Sequence, residues 1–216
     1  MTFQKKLISR KKLEIFLQKL KTFIDPKPEL EQYSITPRGA SIILSIISNT
    51  YDDIQGKVIG DFGCGTGILS IGAALLGAKA VIGVDIDQKQ LDIATQNAEE
   101  LDLIDAIKWL RMDINDFSIF VDVIIQNPPF GIQQKDRGMD TVFLKKALES
   151  APIIYSIHKS SEKNQQFLRD FIKQQNAFID AIIPIQISIP QQFHFHKKKQ
   201  YPIYVDLYRI ISSKKI

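Results

Sequence analysis

The feature that most constrains the fold of this chain is an alternation of short apolar segments with segments of helical periodicity. The alternation begins near residue 57 and continues almost to the end of the chain. It predicts βαβ units around a mostly parallel sheet flanked by helices, which is an α/β fold. Seven strands are predicted, at residues 57–62, 80–86, 106–112, 121–126, 153–157, 178–187 and 204–211. Helices are predicted between them at residues 67–76, 88–101, 141–150 and 162–174.

Two more helical segments precede the first predicted strand, at residues 9–24 and 37–47. No repeat or Gly/Ser-rich linker divides the 216 residues, and 44% hydrophobic with 24% charged residues is typical of a folded domain. We therefore expect a single domain. It would consist of a basic N-terminal helical extension, residues 1–50, and a core, residues 51–216.

Charge and cysteine content narrow the classes of protein further. Both ends are basic, which favours contact with phosphate groups, although lysine-rich termini can also serve only solubility. The single cysteine, Cys64, excludes an internal disulfide and a multi-cysteine zinc site. No apolar run approaches the roughly 18–20 residues of a membrane span. We expect a soluble, cytoplasmic protein with no membrane contact.

A glycine-rich turn, Asp-Phe-Gly-Cys-Gly-Thr-Gly at residues 61–67, joins the first strand to the helix that follows. Glycines at this position allow a ligand to approach the backbone, so the turn predicts a nucleotide or cofactor cradle. A plain tight turn is the alternative. No Gly-Lys-Ser/Thr follows, which excludes a phosphate-binding loop for nucleoside triphosphates. No His-Arg-Asp segment accompanies the Asp-Phe-Gly triplet, which excludes a kinase.

Two acidic residues stand at the ends of the next two strands. Asp85 comes about 20 residues after the glycines, where a carboxylate can bind ribose hydroxyls. It could instead cap the next helix, but Asp87 is better placed for that role. Asp113 follows the third strand and could bind an adenine amino group, or it could simply be a turn residue.

The tetrapeptide Asn127-Pro128-Pro129-Phe130 ends the fourth strand. Two prolines remove two backbone donors and stiffen the turn. Hydrogen-bond acceptors remain, on the Asn127 side chain and the Pro128 carbonyl, with the aromatic ring of Phe130 beside them. This pattern predicts a site for a planar substrate that carries an amino group, and the four residues are the predicted catalytic motif.

Together, the glycine turn and this tetrapeptide resemble class I S-adenosylmethionine-dependent methyltransferases that act on amino nitrogens. Further segments resemble the methyltransferase-like protein 5 family, and they lie at residues 30–33, 49–54, 157–161, 195–199 and 205–207. The resemblance implies a Rossmann-like class I methyltransferase fold with a central seven-stranded sheet. It also implies S-adenosyl-L-methionine as cofactor and methylation of adenosine N6 in small-subunit ribosomal RNA.

The resemblance also implies roles for individual residues. Cofactor contacts are expected from Gln32, Thr36, Gly63, Cys64, Gly65, Thr66, Gly67, Ile68, Asp85, Asp113, Ile114 and Asn127. Asn127 would lie between the cofactor and the target base. Where relatives often have Pro-Thr-x-Pro, this chain has Ser-Ile-Thr-Pro at residues 34–37, which leaves open whether Ile35 or Thr36 makes that contact.

RNA contacts are predicted in three segments. Residues 131–140 read as a loop beside the site, with Lys135 and Arg137 as candidates. His158 and Lys159 form part of a segment shared with the family. Residues 193–199 interleave aromatic and basic side chains, which suits base stacking and phosphate contact, and the candidates there are Phe195, His196, Lys197, Lys198 and Lys199. No metal site is expected, because the histidines lack further ligands nearby.

The sequence is also compatible with other functions. Protein N5-glutamine methyltransferases use a similar Asn-Pro-Pro-aromatic turn, although their N-terminal helical domain is larger. A guanine N2 methyltransferase is a weaker alternative, and a non-catalytic RNA-binding or assembly subunit could retain the same fold. The family resemblance further implies a small zinc-binding methyltransferase activator as heterodimer partner, paired with an edge of the sheet.

Overall fold

A computed structural model of the protein describes residues 8–22, 35–129, 138–190 and 200–213. Its helices are α1 (Arg10–Leu17), α2 (Pro37–Asn49), α3 (Ile68–Leu75), α4 (Gln88–Glu99), α5 (Met139–Ser150) and α6 (Glu162–Gln174). Its strands are β1 (Val58–Phe62), β2 (Ala80–Asp85), β3 (Ile107–Arg111), β4 (Val123–Gln126), β5 (Ile153–Lys159), β6 (Ala177–Pro190) and β7 (Gln200–Ser212). All seven predicted strands are present.

The strands form one sheet in the order β3-β2-β1-β4-β5-β7-β6. Strands β1 to β5 are parallel, and β7 lies antiparallel between β5 and β6. The predicted α/β fold with a mostly parallel sheet is therefore confirmed. The strand order reverses between β1 and β4, and ligands in such sheets bind beyond the carboxyl ends of the strands at this point.

Two hydrophobic clusters cover the sheet. One contains apolar side chains of α1, α2 and α3, and the other contains those of α5 and α6. Local sequence signals start several of these helices: the side chains of Ser9, Thr36, Asp87 and Ser161 each accept a hydrogen bond from a backbone N–H in the first turn. Pro37 follows its cap directly, as expected for the first position of a helix.

Several predicted boundaries were wrong, among them the start of β7, which is Gln200 rather than residue 204. The first helix ends at Leu17 rather than near residue 24, because the buried side chain of Asn97 takes both backbone polar groups of Lys21. The Asn97 carboxamide accepts from Lys21 N at 2.8 Å and donates to Lys21 O at 3.0 Å. The predicted loop at residues 131–140 is also too long, since α5 already begins at Met139.

No helix within the described ranges is long and apolar enough to cross a membrane. In the same part of the chain, no group of three or more histidine, cysteine or acidic side chains is arranged to hold a metal ion.

A buried polar network joins the loop before β1 to the far half of the sheet. Asp53 accepts a hydrogen bond from the Tyr155 hydroxyl at 2.6 Å and forms an ion pair with Arg209 at 2.9 Å. Arg209 also pairs with Asp180 on β6 at 2.8 Å and lies over the Tyr51 ring. The loop, β5, β6 and β7 are therefore held together by one guanidinium group.

Replacing Arg209 with methionine is expected to lower the free energy of unfolding by about 3 kcal/mol, because the Asp53 carboxylate would stay buried without its cation. Urea unfolding followed by circular dichroism measures this. The control is Glu14→Gln, which removes an exposed ion pair with Arg10 and should change stability by less than about 0.5 kcal/mol. Equal effects of the two changes would contradict the role of the network.

Candidate active site

A cavity of about 230 Å³ opens at the carboxyl ends of β1, β2, β3 and β4. Most of the predicted cofactor residues that the structure describes line it, namely Gly63, Cys64, Gly65, Thr66, Ile68, Asp85, Asp113, Ile114 and Asn127. These residues come from four separate segments of the chain. The parallel order of the strands brings their carboxyl ends to one edge, which is why the four segments meet.

The glycine turn has a backbone that only glycine adopts readily. Gly63, Gly65 and Gly67 have φ angles of 68°, 54° and 84°. The ring of Trp109, on β3, packs closely against the turn and against β2. A Cβ at Gly67 in the turn would lie 2.6 Å from that ring, and a Cβ at Gly83 on β2 would lie 2.4 Å from it. The turn is therefore held in a fixed shape before any ligand binds.

Asp85 connects this turn to the start of α4. Its carboxylate accepts hydrogen bonds from Gly65 N at 2.8 Å and Asp87 N at 2.9 Å. Burial raises the pKa of Asp85, and the two backbone N–H groups partly oppose that shift. The carboxylate lines the cavity as well, so it organises two segments and still faces the ligand space.

Asp61, at the end of β1, is a buried acid in the cavity wall. The Ser70 hydroxyl donates to its carboxylate at 2.6 Å. Burial is the main cause that raises its pKa to about 7, against an ordinary value of 3.8. The group therefore changes its protonation state near neutral pH.

This pKa predicts how stability depends on pH. Because the native state binds a proton that the unfolded state releases between about pH 4 and pH 7, the contribution of Asp61 to stability falls as the pH rises through that window. Asp61→Asn removes the titration and keeps an acceptor for Ser70. We expect the variant to match the wild type at pH 4 and to be more stable at pH 8, by urea unfolding. A stability difference that does not change with pH would contradict the shifted pKa.

The wall near β2 and β3 is apolar with polar edges. Ile86, Met112 and Ile114 line the cavity there and offer flat surface to a planar ring. Asp113 begins a short 3₁₀ helix, and its carboxylate accepts from Asn115 N and Asn115 Nδ2, both at 2.9 Å. It is thus a turn residue that also lines the cavity, and its binding of an adenine amino group stays a prediction.

The opposite wall belongs to the proline-rich turn. Asn127 and Pro129 line the cavity, and Pro128 lies buried between them. Met139 and Phe143 on α5 complete this wall, and the Phe143 ring lies against Gly63. The turn at the end of β4 and the glycine turn thus face the same space.

Some predicted site residues lie elsewhere. Gly67 and Thr36 do not line the cavity: Gly67 precedes α3, and the Thr36 hydroxyl accepts from Gly39 N at 3.2 Å as the cap of α2. Ile35, not Thr36, borders the cavity. Outside the described residues are Gln32, Phe130, Lys135, Arg137, Phe195, His196, Lys197, Lys198 and Lys199.

The prediction that His158 contacts RNA is wrong. Its side chain is only 2% exposed, and its Nε2 lies 2.7 Å from the Ser156 hydroxyl. The ring packs edge-on against Tyr208, and burial lowers the pKa of His158 to about 3, so the ring is neutral. The neighbouring Lys159, the last residue of β5, is exposed.

Sequence reasoning did not identify several cavity residues as such. Ile35, Gln90, Met139 and Phe143 reach it from helices or loops outside the recognised motifs. Phe143 was unremarkable in sequence, because an apolar residue on an amphipathic helix normally faces the core. Nothing in the sequence marked Gln90, because a glutamine in the first turn of a helix is usually exposed and its burial is visible only in the structure.

The seven-stranded sheet with antiparallel β7, the glycine turn, the acid at the end of β2 and the Asn-Pro-Pro turn after β4 define a class I methyltransferase. Residues 40–128 match the family of ribosomal protein L11 methyltransferases (PrmA). Over 203 residues, the chain is 39% identical to the rRNA N6-adenosine-methyltransferase METTL5 of Danio rerio, covering 92% of this chain and 97% of that protein. The chain belongs to the METTL5 family of rRNA N6-adenosine-methyltransferases.

Two further relatives agree with this assignment. The rRNA N6-adenosine-methyltransferase Mettl5 of Drosophila melanogaster is 33% identical over 204 residues, with 92% of this chain and 94% of that protein covered. A crystal structure from Pyrococcus horikoshii, provisionally described as an RNA methyltransferase, superposes with a TM-score of 0.83 at 38% identity and covers 98% and 99% of the two chains.

Proposed function

We propose that this protein transfers the methyl group of S-adenosyl-L-methionine to N6 of an adenosine in small-subunit ribosomal RNA. The observation that carries the proposal is the Asn127-Pro128-Pro129 turn, which borders the same cavity as Asp85 and the glycine turn. A single cavity thus combines acceptors for an amino group with a cradle for a nucleoside. The names of the full-length relatives support rRNA as the substrate.

The residues around the cavity fit S-adenosyl-L-methionine by their chemistry. Asp85 supplies a carboxylate for ribose hydroxyls, and Asp113 supplies one for the adenine amino group. Ile86 and Ile114 offer apolar surface to the base. Bound there, the cofactor would supply a methyl group activated by its positively charged sulfur.

The role proposed for the Asn-Pro-Pro turn follows from the chemistry of the target. Adenine N6 is a poor nucleophile, because its lone pair is delocalised into the ring. If the Asn127 side-chain oxygen and the Pro128 carbonyl accept its two N–H groups, electron density stays on the nitrogen. Positioning then supplies most of the rate, and the proton on the product nitrogen can leave to water.

The target base must leave its stack to reach this cavity. Lys159 is exposed at the end of β5, the strand beside β4, and is available to a phosphate group near the turn. Lys135, Arg137 and residues 195–199 remain proposed contacts on the basis of their composition. Contact with phosphate predicts binding that weakens as salt rises.

The experiment that tests this function is transfer of a labelled methyl group from S-adenosyl-L-methionine to small-subunit ribosomal RNA, followed by mass spectrometry of nucleosides. We expect N6-methyladenosine and no N2-methylguanosine. Large-subunit RNA serves as the matched substrate control. Label appearing only in large-subunit RNA would overturn the subunit assignment, and methylguanosine would overturn the base assignment.

Two other candidate functions, methylation of a release factor and methylation of ribosomal protein L11, are tested in the same assay. The match of residues 40–128 to ribosomal protein L11 methyltransferases includes the glycine turn and most of the cavity residues, so methylation of a protein is the competing function. A release factor with its glutamine and ribosomal protein L11 should remain unlabelled.

Strand β3 is an edge of the sheet, and the exposed Ile104 lies just before it. An exposed strand edge can pair with a strand of another protein, which favours the small zinc-binding methyltransferase activator as a partner. Each reaction is therefore run with and without that activator.

A further inference from the structure

Four buried side-chain polar atoms have no hydrogen-bond partner among the described residues. They are Gln90 Oε1, Trp109 Nε1, Gln126 Oε1 and Tyr208 OH. Buried polar groups without a partner destabilise a folded protein, and such exceptions call for an explanation. Of the four residues, only Gln90 lines the cavity described above.

The start of helix α4 provides no hydrogen-bond partner for the Gln90 side-chain oxygen. It is the third residue of α4, where a glutamine side chain can bond back to the N–H of the capping residue. That N–H, of Asp87, already donates to Asp85 at 2.9 Å. Asp87 in turn accepts from Lys89 N at 3.1 Å. Gln90 is 5% exposed, and its Oε1 accepts no hydrogen bond from its own helix.

The location of Gln90 indicates which part of a ligand it would meet. Helix α4 packs on β2 and β3, and Gln90 lines the side of the cavity that holds Asp85, Ile86 and Met112. Asn127, where transfer is proposed, lies after β4 at the opposite side of the strand order. A ligand that spans the cavity with its reacting methyl group near Asn127 therefore has its nucleoside near Gln90.

We infer that the carboxamide of Gln90 is a further cofactor-binding group, which accepts a hydrogen bond from the adenosine half of S-adenosyl-L-methionine. Rotation about the last side-chain torsion can turn either end of the carboxamide toward the cavity. The donors on adenosine are the two ribose hydroxyls and the exocyclic amine. The inference rests on the proposed use of this cofactor.

The test compares Gln90→Leu and Gln90→Met with the wild type, using calorimetric titration of S-adenosylhomocysteine. Since a single hydrogen bond is replaced by an apolar group, we expect affinity to fall roughly tenfold. The melting temperature of the ligand-free variants should not fall, and should rise if the new side chain packs well, because the unpartnered oxygen is gone. The matched control is Gln88→Leu, two residues earlier on the same helix but exposed.

Analogues of S-adenosylhomocysteine identify the group that is bound. Analogues that lack the 2′-hydroxyl, the 3′-hydroxyl or the exocyclic amine are titrated into the wild type and into Gln90→Met. The analogue that lacks the partner of Gln90 should bind both proteins with equal affinity, while the other two keep the tenfold difference.

The outcomes separate this inference from the proposed function. If the wild type binds S-adenosylhomocysteine and both Gln90 variants, folded by their melting curves, bind it equally well, the inference is overturned and the cofactor assignment stands. If the wild type does not bind S-adenosylhomocysteine, both are overturned. A loss of affinity in the Gln88 control equal to that in the Gln90 variants would also overturn the specific role of Gln90.

Discussion

Asn127→Ala is expected to lower the rate of methyl transfer to RNA by about 10²–10³-fold, the effect of removing one preorganised polar group from a reacting centre. Affinity for S-adenosylhomocysteine should change by less than about threefold, because the glycine turn and Asp85 remain intact. The physical reason is that the proposed role of Asn127 concerns the amino group of the target base. Single-turnover transfer of labelled methyl, with RNA and cofactor saturating, measures the chemical step directly.

Two controls make this result specific. Asn49→Ala removes an exposed asparagine at the end of α2, which does not line the cavity, and should transfer methyl groups at the wild-type rate. Asn127→Asp keeps an acceptor oxygen but adds negative charge, so it separates hydrogen bonding from charge. Turnover of Asn127→Ala at the wild-type rate would refute the proposed role of the turn.

Asp85→Ala is expected to reduce affinity for S-adenosylhomocysteine by at least about 100-fold. Hydrogen bonds to a charged group contribute about 1.5–3 kcal/mol each, and this carboxylate accepts two from the backbone besides those it would offer the ribose. Losing it should loosen the glycine turn and the start of α4 together. The chain has a single tryptophan, Trp109, which packs against the turn, so its fluorescence reports binding without a label.

The control for this prediction lies on the same helix. Asp92 is exposed and bonds to the Gln88 side chain, and Asp92→Ala should leave the affinity unchanged. Urea unfolding of Asp85→Ala establishes that the variant is folded before titration. A folded Asp85→Ala protein with wild-type affinity would mean that this acid does not hold the cofactor.

Much of the fold could be predicted because its signals are local. Strands buried on both faces read as short apolar runs, and helices begin at a side chain that accepts from their own first turn, as Asp87 and Ser161 do. The glycine turn is equally local, since positive φ angles restrict which residue can stand at Gly63 and Gly65.

The wrong or missing predictions share a different origin. The end of the first helix depends on Asn97, 76 positions away from Lys21 in sequence. The burial of His158 depends on Ser156 beside it and on Tyr208 of the strand that pairs with β5. The Phe143 ring on α5 lies against Gly63, which is far from it in sequence. Each of these depends on contacts between distant segments, which have no local signature.

The sequence by itself therefore determined the α/β class, the order of strands and helices, and the chemical groups at the end of each strand. These follow from residue-level preferences that act within a few positions. Only the tertiary structure decided which of those groups share one cavity, that burial raises the pKa of Asp61 to about 7, and that Gln90 Oε1 is buried without a partner. Burial and hydrogen-bond satisfaction depend on the whole packed environment, so they are properties of the assembled chain and not of any segment.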